Sequence, residues 1–227
     1  MTLEEMGRRA KAAARELASA GSRKESALLH AGEALWLRRE ELLAANALDL
    51  EAGKQAGMSQ ALLDRLALSE SRIQDMAKAV EEVAKAADPV GKVLSGGVLP
   101  NGLKIEKVTV PLGVIGIIYE ARPNVTSDAA ALCLKAGNTV ILRGGKEAFR
   151  SNQAVTRVLR DALEESGLPA DCVQLVEDTS RQSAQELMAL TDYLDVLIPR
   201  GGAGLIRSVK ENARVPVIET GAVSYTH

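Results

Sequence analysis

Leu28, Leu35 and Leu42 recur every seven residues, flanked by Leu29, Trp36 and Leu43. That spacing puts one apolar face on a long helix. Ser22 and Glu25 have capping-box spacing at its start, and Gly53 and Gly57 close the helical stretch. Ser59 and Ser69 stand at N-cap positions before ALLDRLAL and RIQDMAKAVEEVAKAA. The first segment, MTLEEMGRRAKAAARELA, is charged and helical, and Asp88-Pro89 ends a helical arm spanning 1–88. In 92–110, Asn101-Gly102 lies between two β-like runs and predicts a hairpin. Neither run carries a long apolar face, so the hairpin is expected to lean on the body of the protein or on another subunit.

From Gly113 the rhythm changes. GVIGIIYE, NTVILRGG, CVQLVE, DVLIP and VPVIE read as strands, and helical segments follow or separate them. Strand–helix alternation with short loops implies parallel pairing through right-handed crossovers. The predicted class is α/β: a Rossmann-like open parallel sheet over 111–221, helices on both faces, with the helical arm and a protruding hairpin attached. No internal repeat or low-complexity linker interrupts it.

Composition narrows the functional classes. The chain has 227 residues, 46% hydrophobic and only 2% aromatic. A core of Ala, Leu, Val and Ile suits helices packed on a parallel sheet. The net charge of −2 lacks the basic excess of a nucleic-acid binder. No apolar run is long enough to read as a membrane span, and no signal core opens the chain. Cys133 and Cys172 lie in apolar segments and read as buried thiols in a reducing cytoplasm. The only histidines are His30 and His227, which argues against a Ser-His-Asp triad or a histidine metal site.

Ligands of open parallel sheets bind beyond the carboxyl ends of the strands. Three such ends carry chemistry. In IIYEARPNVTSDA, Pro123 can start a helix and Asn124 brings an amide donor to its positive end, suited to an oxyanion or to a plain helix cap. In ILRGGKEA, Arg143 and Lys146 flank Gly144-Gly145; bare backbone with two cations suits a phosphate, and an exposed polar turn is the other reading. In LIPRGGAGLI, Pro199, Arg200, Gly201 and Gly202 lead into a helix whose first amides could face a pyrophosphate, although Gly-rich turns of this kind are common. Neither GxGxxG nor a P-loop is present.

Taken together, VPLGVIGIIYEARPNVTSDAAALCLKAGNTVILRGGKEA, DVLIPRGGAGLI and VPVIETG closely resemble the gamma-glutamyl phosphate reductases of the aldehyde dehydrogenase superfamily. ANALDL, LLDRLALS and ADPVGKVLSGGVLPNGL extend the resemblance into the arm, so it runs to about Gly221. It implies NADPH-dependent reduction of L-glutamate 5-phosphate to glutamate 5-semialdehyde and phosphate, in cytoplasmic proline biosynthesis. In such enzymes a cysteine thiolate attacks the acyl phosphate and hydride reduces the resulting thioester. Asn124 falls at the superfamily's oxyanion-hole position. Arg143 matches its contact to the adenosine ribose. Lys146 stands where NAD-preferring relatives carry a glutamate, which favours a 2′-phosphate. The 199–202 loop matches the surroundings of the pyrophosphate and nicotinamide. Glu219 matches the general base, a role that a reduction without hydrolytic water does not need. The tail AVSYTH (222–227) departs from the family, whose Cys-His pair and catalytic domain are expected beyond this point. This leads to the expectation of a cofactor-binding part that is inactive alone; the alternative is a fragment that binds NADPH, oligomerises or docks to a full-length subunit. Metal and nucleic acid are not expected.

Overall fold

The computed structural model describes residues 1–219. Five helices open the chain: α1 (Leu3–Ala18), α2 (Arg23–Leu37), α3 (Arg39–Gln55), α4 (Gln60–Leu66) and α5 (Glu70–Lys85). A hairpin follows, β1 (Val93–Val98) with β2 (Lys104–Val108), paired antiparallel. Next come β3 (Val114–Tyr119), α6 (Pro123–Lys135), β4 (Thr139–Arg143), α7 (Phe149–Glu165), β5 (Val173–Leu175), α8 (Arg181–Met188), β6 (Val196–Arg200) and α9 (Ala203–Asn212). The larger sheet has the order β5-β4-β3-β6, with every neighbouring pair parallel. The α/β class expected from the strand–helix rhythm is the observed one. The call for the tail 222–227, with Gly221 and His227, lies outside the described residues.

Alternation along the strands assigns the two faces. Ile115, Ile117, Tyr119, Val140 and Leu142 join a core with α2, α5, α6 and α7. Val114, Ile118, Ile141 and Leu197 point the other way, into a second core with Leu187 of α8 and Val209 of α9. Met6 and Ala10 belong to that second core. Ala13 and Leu17 in the second half of α1 join the first core, while its first half packs on the opposite face of the sheet from α2 and α5. Its backbone is fastened there: Gln174 Nε2 donates to Met6 O (2.9 Å) and Thr139 Oγ1 to Ala10 O (3.3 Å). The bond to Ala10 O gives the buried Thr139 hydroxyl a partner; Gln174 Nε2 also donates to Asp171 O (3.4 Å).

Three further expectations change in detail. The heptad face is real, since Leu28, Leu35 and Leu42 are all buried, but the helix breaks at Arg38 (φ −97°, ψ 20°). The capping box does not form. Ser22 is already in the right-handed helical region, inside a turn begun at Ala20, and its side chain caps nothing. Glu25 instead receives a hydrogen bond from Lys135 Nζ (2.7 Å). VPVIE is reduced to one parallel bridge, Leu197 with Val217. Pro216 accepts from the Leu197 N–H (2.8 Å) but has no N–H of its own, so it cannot extend a ladder. Ser69 does cap α5, accepting from the Arg72 N–H (3.2 Å), and Gly102 takes the positive φ (83°) of the hairpin turn. Both hairpin strands are exposed throughout.

Two polar joints tie the arm to the sheet. At one, buried Asp49 accepts from the Ser151 N–H (2.8 Å) and hydroxyl (2.7 Å) and from the Arg150 N–H (3.3 Å), at the start of α7. Buried Asn46 donates to Ser151 Oγ (3.0 Å) and Leu66 O (2.8 Å) and accepts from the Leu68 N–H (2.7 Å). A carboxylate here meets the unpaired amides and positive dipole of a helix start. At the other joint, Lys24 and Lys135 are both only 4% exposed. Lys24 pairs with Asp88 (3.1 Å), and Lys135 donates to Glu25 and to Ala84 O (2.8 Å).

Burial pushes the Asp88 carboxyl up, but the Val90 N–H, the hydrogen bond and charge of Lys24, and the Lys135 charge outweigh it. The net pKa lies below the ordinary carboxylate value. A depressed folded-state pKa stabilises above the unfolded value and ceases to as pH falls through the folded one. Asp88→Asn is therefore expected to be less stable than the parent at neutral pH. Urea unfolding at a series of pH values should show the two converging in acid, below the ordinary carboxylate range. Asp49→Ala strands the Ser151 amide and hydroxyl in a buried place, and a loss of about 2–3 kcal/mol is expected. Parent-like unfolding of Asp49→Ala would mean that the joint does not hold the arm.

Candidate functional site

The parallel register brings the three strand ends to one edge. Ile118 of β3 sits opposite Arg143 of β4 on one side and Pro199 of β6 on the other, and Tyr119 sits opposite Arg200. Asn124, Arg143, Gly144, Gly145, Lys146 and the 199–202 turn gather at this edge; Glu219 does not. Glu219 lies beyond the edge strand and receives a hydrogen bond from Lys210 of α9 (2.8 Å), which raises the Lys210 pKa.

At the first end, Pro123 occupies the first turn of α6 and Asn124 is exposed beside it. The cap reading does not hold for Asn124, because its amide donates to the Asp128 carboxylate one turn on (3.1 Å) rather than accepting from a helix amide. Burial raises the Asp128 pKa, against the Asn124 hydrogen bond and the charge of Arg200. One Asn124 N–H thus has a carboxylate partner, and the other remains a donor at the positive end of α6.

The two cations of the second end differ. Arg143 is half-buried and spent on structure: its Nη2 donates to the carbonyls of Thr179 (2.7 Å) and Ser180 (2.8 Å), while its buried Nε has no partner. Burial pulls the guanidinium below its usual pKa, against the charges of Asp178 and Glu147. Lys146 is exposed, and among the described residues its side chain makes no hydrogen bond or ion pair. The glycines between them have packing reasons. A Cβ on Gly144 would collide with the Asn152 amide and come within 3.0 Å of the Tyr119 ring. One on Gly145 would lie 3.2 Å from the Ala121 nitrogen. Gly144 thereby makes room for a buried chain in which Thr126 Oγ1 donates to Asn152 Oδ1 (3.0 Å) and meets the Tyr119 hydroxyl (2.8 Å).

At the third end Pro199 is buried and Arg200 exposed. Here the structure holds a residue that sequence reasoning left unassigned. Glu120 accepts from the Gly202 N–H (2.8 Å), the amide just before α9, and a Cβ on Gly201 would lie 2.7 Å from its carboxylate carbon. A side chain already occupies the amide that was expected to face a pyrophosphate. No local pattern could have revealed this, because the partners are 82 residues apart.

Three clefts open at this edge. One of about 520 Å³ lies between the arm and the start of α6, with Arg65, Arg72, Asp75, Arg122, Asn124 and Asp128 in its walls. A neighbour of about 290 Å³ shares Arg65 and Arg122 and adds Glu120 and the 200–202 turn. Arg65 lies in LLDRLALS and Arg122 in IIYEARPNVTSDA, where the sequence alone assigned neither a role. The third, of about 320 Å³ and mostly apolar, has Asp128, Arg200 and the buried Cys133 in its wall; Cys172 lies in none of the three, and burial pushes each thiol up to about 12. The described residues contain no cluster of His, Cys, Asp or Glu able to hold a metal, and no helix long and apolar enough to cross a membrane.

Comparison with known proteins places this geometry. Residues 1–223 match the aldehyde dehydrogenase family. The gamma-glutamyl phosphate reductase of Moorella thermoacetica is 60% identical over 222 residues, covering 97% of this chain and 53% of that protein. A crystal structure of the Thermotoga maritima gamma-glutamyl phosphate reductase superposes with a TM-score of 0.94 at 45% identity, over 96% of this chain and 53% of that one. The Saccharomyces cerevisiae enzyme of the same name gives 0.88 at 31%, over 98% and 57%. The chain spans about half the length of the relatives it matches. The resemblance read from the strand-end motifs is borne out, and with almost every residue inside the match the chain belongs to the aldehyde dehydrogenase family.

Proposed function

We propose that this chain is the cofactor-binding part of an NADPH-dependent gamma-glutamyl phosphate reductase, acting in proline biosynthesis. The reaction reduces L-glutamate 5-phosphate to glutamate 5-semialdehyde and phosphate. The observation that carries the reading is the edge itself: an unpaired Lys146 after β4 and an amide donor, Asn124, at the start of α6, in a chain so close to reductases of that name.

The residues fit a phosphorylated dinucleotide at one end. Lys146 is a cation with no competing partner among the described residues, so a 2′-phosphate would gain its charge without breaking an ion pair there. Gly144 and Gly145 keep side chains off the adjoining backbone, and Arg143 holds the β4 end to the 179–180 loop and so shapes the adenosine side. The fit is poorer at the other end. Glu120 already holds the Gly202 amide, and its carboxylate repels an anion there. On this reading Pro199, Gly201 and Gly202 shape the nicotinamide side, and Arg200 supplies the charge that offsets Glu120. When bound, NADPH supplies hydride. Asn124 would hold the carbonyl oxygen as negative charge develops on it, a contribution that grows with charge development.

Neither cysteine of this chain is the attacking thiolate. Each lies in a core, and a thiol with a pKa near 12 is almost wholly protonated at neutral pH. The exposed apolar residues of the hairpin, Val93, Leu94, Val98 and Ile105 among them, support association with a second copy.

Two outcomes test the reading. Titration calorimetry is expected to show NADPH preferred over NADH, with Lys146→Glu lowering that preference about tenfold, since the site is exposed and screened. Equal affinity for both cofactors, unchanged by the substitution, would exclude the role of Lys146. The folded chain is also expected to resist a thiol-specific reagent at neutral pH and to expose both thiols only on unfolding. Rapid labelling of Cys133 or Cys172 in the native protein would reopen each as a candidate nucleophile.

A further inference from the structure

The largest of these clefts, between α4, α5 and the start of α6, contains charged side chains of two kinds. One set is already satisfied. Arg72 donates to the carbonyls of Asp64 and Ala67 (2.7 Å for the latter) and pairs with the Asp64 carboxylate (3.1 Å). Asn124 is bonded to Asp128. The other set is open: Arg65, Asp75 and Arg122 make no side-chain hydrogen bond or ion pair among the described residues. Two cations and an anion line one cleft without neutralising each other. Backbone placement explains this. Arg65 sits in the last turn of α4, Asp75 on α5, and Arg122 at the N-cap of α6.

We infer that this cleft receives the α-amino-acid end of the substrate, with Arg65 and Arg122 taking its carboxylate and Asp75 its ammonium group. The inference rests on the reductase reading for the identity of the substrate. The charge pattern selects the ligand class. A dianion alone would leave Asp75 facing a like charge, whereas a zwitterionic head presents one group to each sign. Guanidinium groups suit a carboxylate because their planar donors match its two oxygens. Position agrees, since Arg122 lies two residues before Asn124. A glutamyl chain held by its head at Arg122 therefore has its far carbonyl within the neighbourhood of the α6 amide donor. The arm then does more than brace the sheet: it supplies Arg65 and Asp75 to substrate recognition.

The test uses the whole 227-residue chain. Backbone amide shifts are followed by NMR as L-glutamate, glutarate (no ammonium) or γ-aminobutyrate (no α-carboxylate) is added to tens of millimolar. L-Glutamate is expected to move the amides around Arg65 and at 122–125 and to bind more tightly than either analogue. Arg65→Gln and Arg122→Gln should each weaken it about tenfold, the usual scale for losing a charged hydrogen bond. Asp75→Asn should abolish the discrimination against glutarate. The unfolding midpoint and the amide shifts away from the cleft, read on the same samples, should stay at the parent values and so certify the fold of each variant. If γ-aminobutyrate binds as well as L-glutamate, or if no cleft amide responds while NADPH still binds, the cleft is not an amino-acid site and the reductase reading stands. If the parent chain discriminates as expected but binds no NADPH, the cleft keeps its ligand class and the reductase reading falls.

Discussion

The buried carboxylate of Asp49 fixes the start of α7, on which the ends of β3 and α6 at the functional edge rest. It stands on α3, outside the sheet, yet it satisfies the first amides of α7 and the Ser151 hydroxyl. The neighbouring residue, Asn152, continues inward to Thr126 of α6, and Thr126 meets the Tyr119 hydroxyl at the end of β3. A single buried polar chain thus runs from the arm, through the start of α7, to the strand end that carries Glu120 and Arg122. Such a chain is costly when incomplete and rigid when complete, because each member loses its partner if one shifts. It also explains why Gly144 bears no side chain: the ring of Tyr119 and the amide of Asn152 occupy that space.

The second joint acts on the other end of α6. Lys135 lies in the last turn of that helix, where a cation also meets the negative end of the dipole, and it reaches Glu25 and the end of α5. Lys24 closes the same corner against Asp88. With Thr126 fixed near its start to β3 and α7, and Lys135 at its end to the arm, α6 is held at both ends. Its first turn then faces the cleft as a fixed object, so Asn124 and Arg122 keep their positions relative to Arg65 and Asp75. Preorganised donors are what a developing oxyanion needs, since no reorganisation has to occur as charge appears.

How much of this was legible in the sequence follows from interaction range. The strands announced themselves because a parallel strand buried on both faces is a continuous apolar run, as in VIGIIY. The heptad of Leu28, Leu35 and Leu42 gave its face correctly, since periodicity survives a break at one residue. The failures came where a local rule met a distant partner. Ser22 and Glu25 have capping-box spacing, but a turn already wound at Ala20 and a lysine 110 residues away settled their roles. The sequence of α1 carries no sign that its two halves will join different cores. The arm motif ANALDL could be quoted as a resemblance but not explained, because Asn46 and Asp49 find Ser151 only in three dimensions.

The cations at the edge show the same limit on function. Arg143 and Lys146 look equivalent in ILRGGKEA, each a basic residue beside paired glycines. The fold separates them. A guanidinium presents several donors at once, so Arg143 can staple two carbonyls of the 179–180 loop while half-buried, and that task consumes it. A lysine one turn later has a single compact charge, no carbonyl to serve, and open solvent around it. The same logic distinguishes Arg72, closed on Asp64, from Arg65, left open in the cleft. Charge availability, rather than charge count, is what makes part of this edge a binding surface. It is fixed by which carbonyls and carboxylates the fold brings within reach of each side chain.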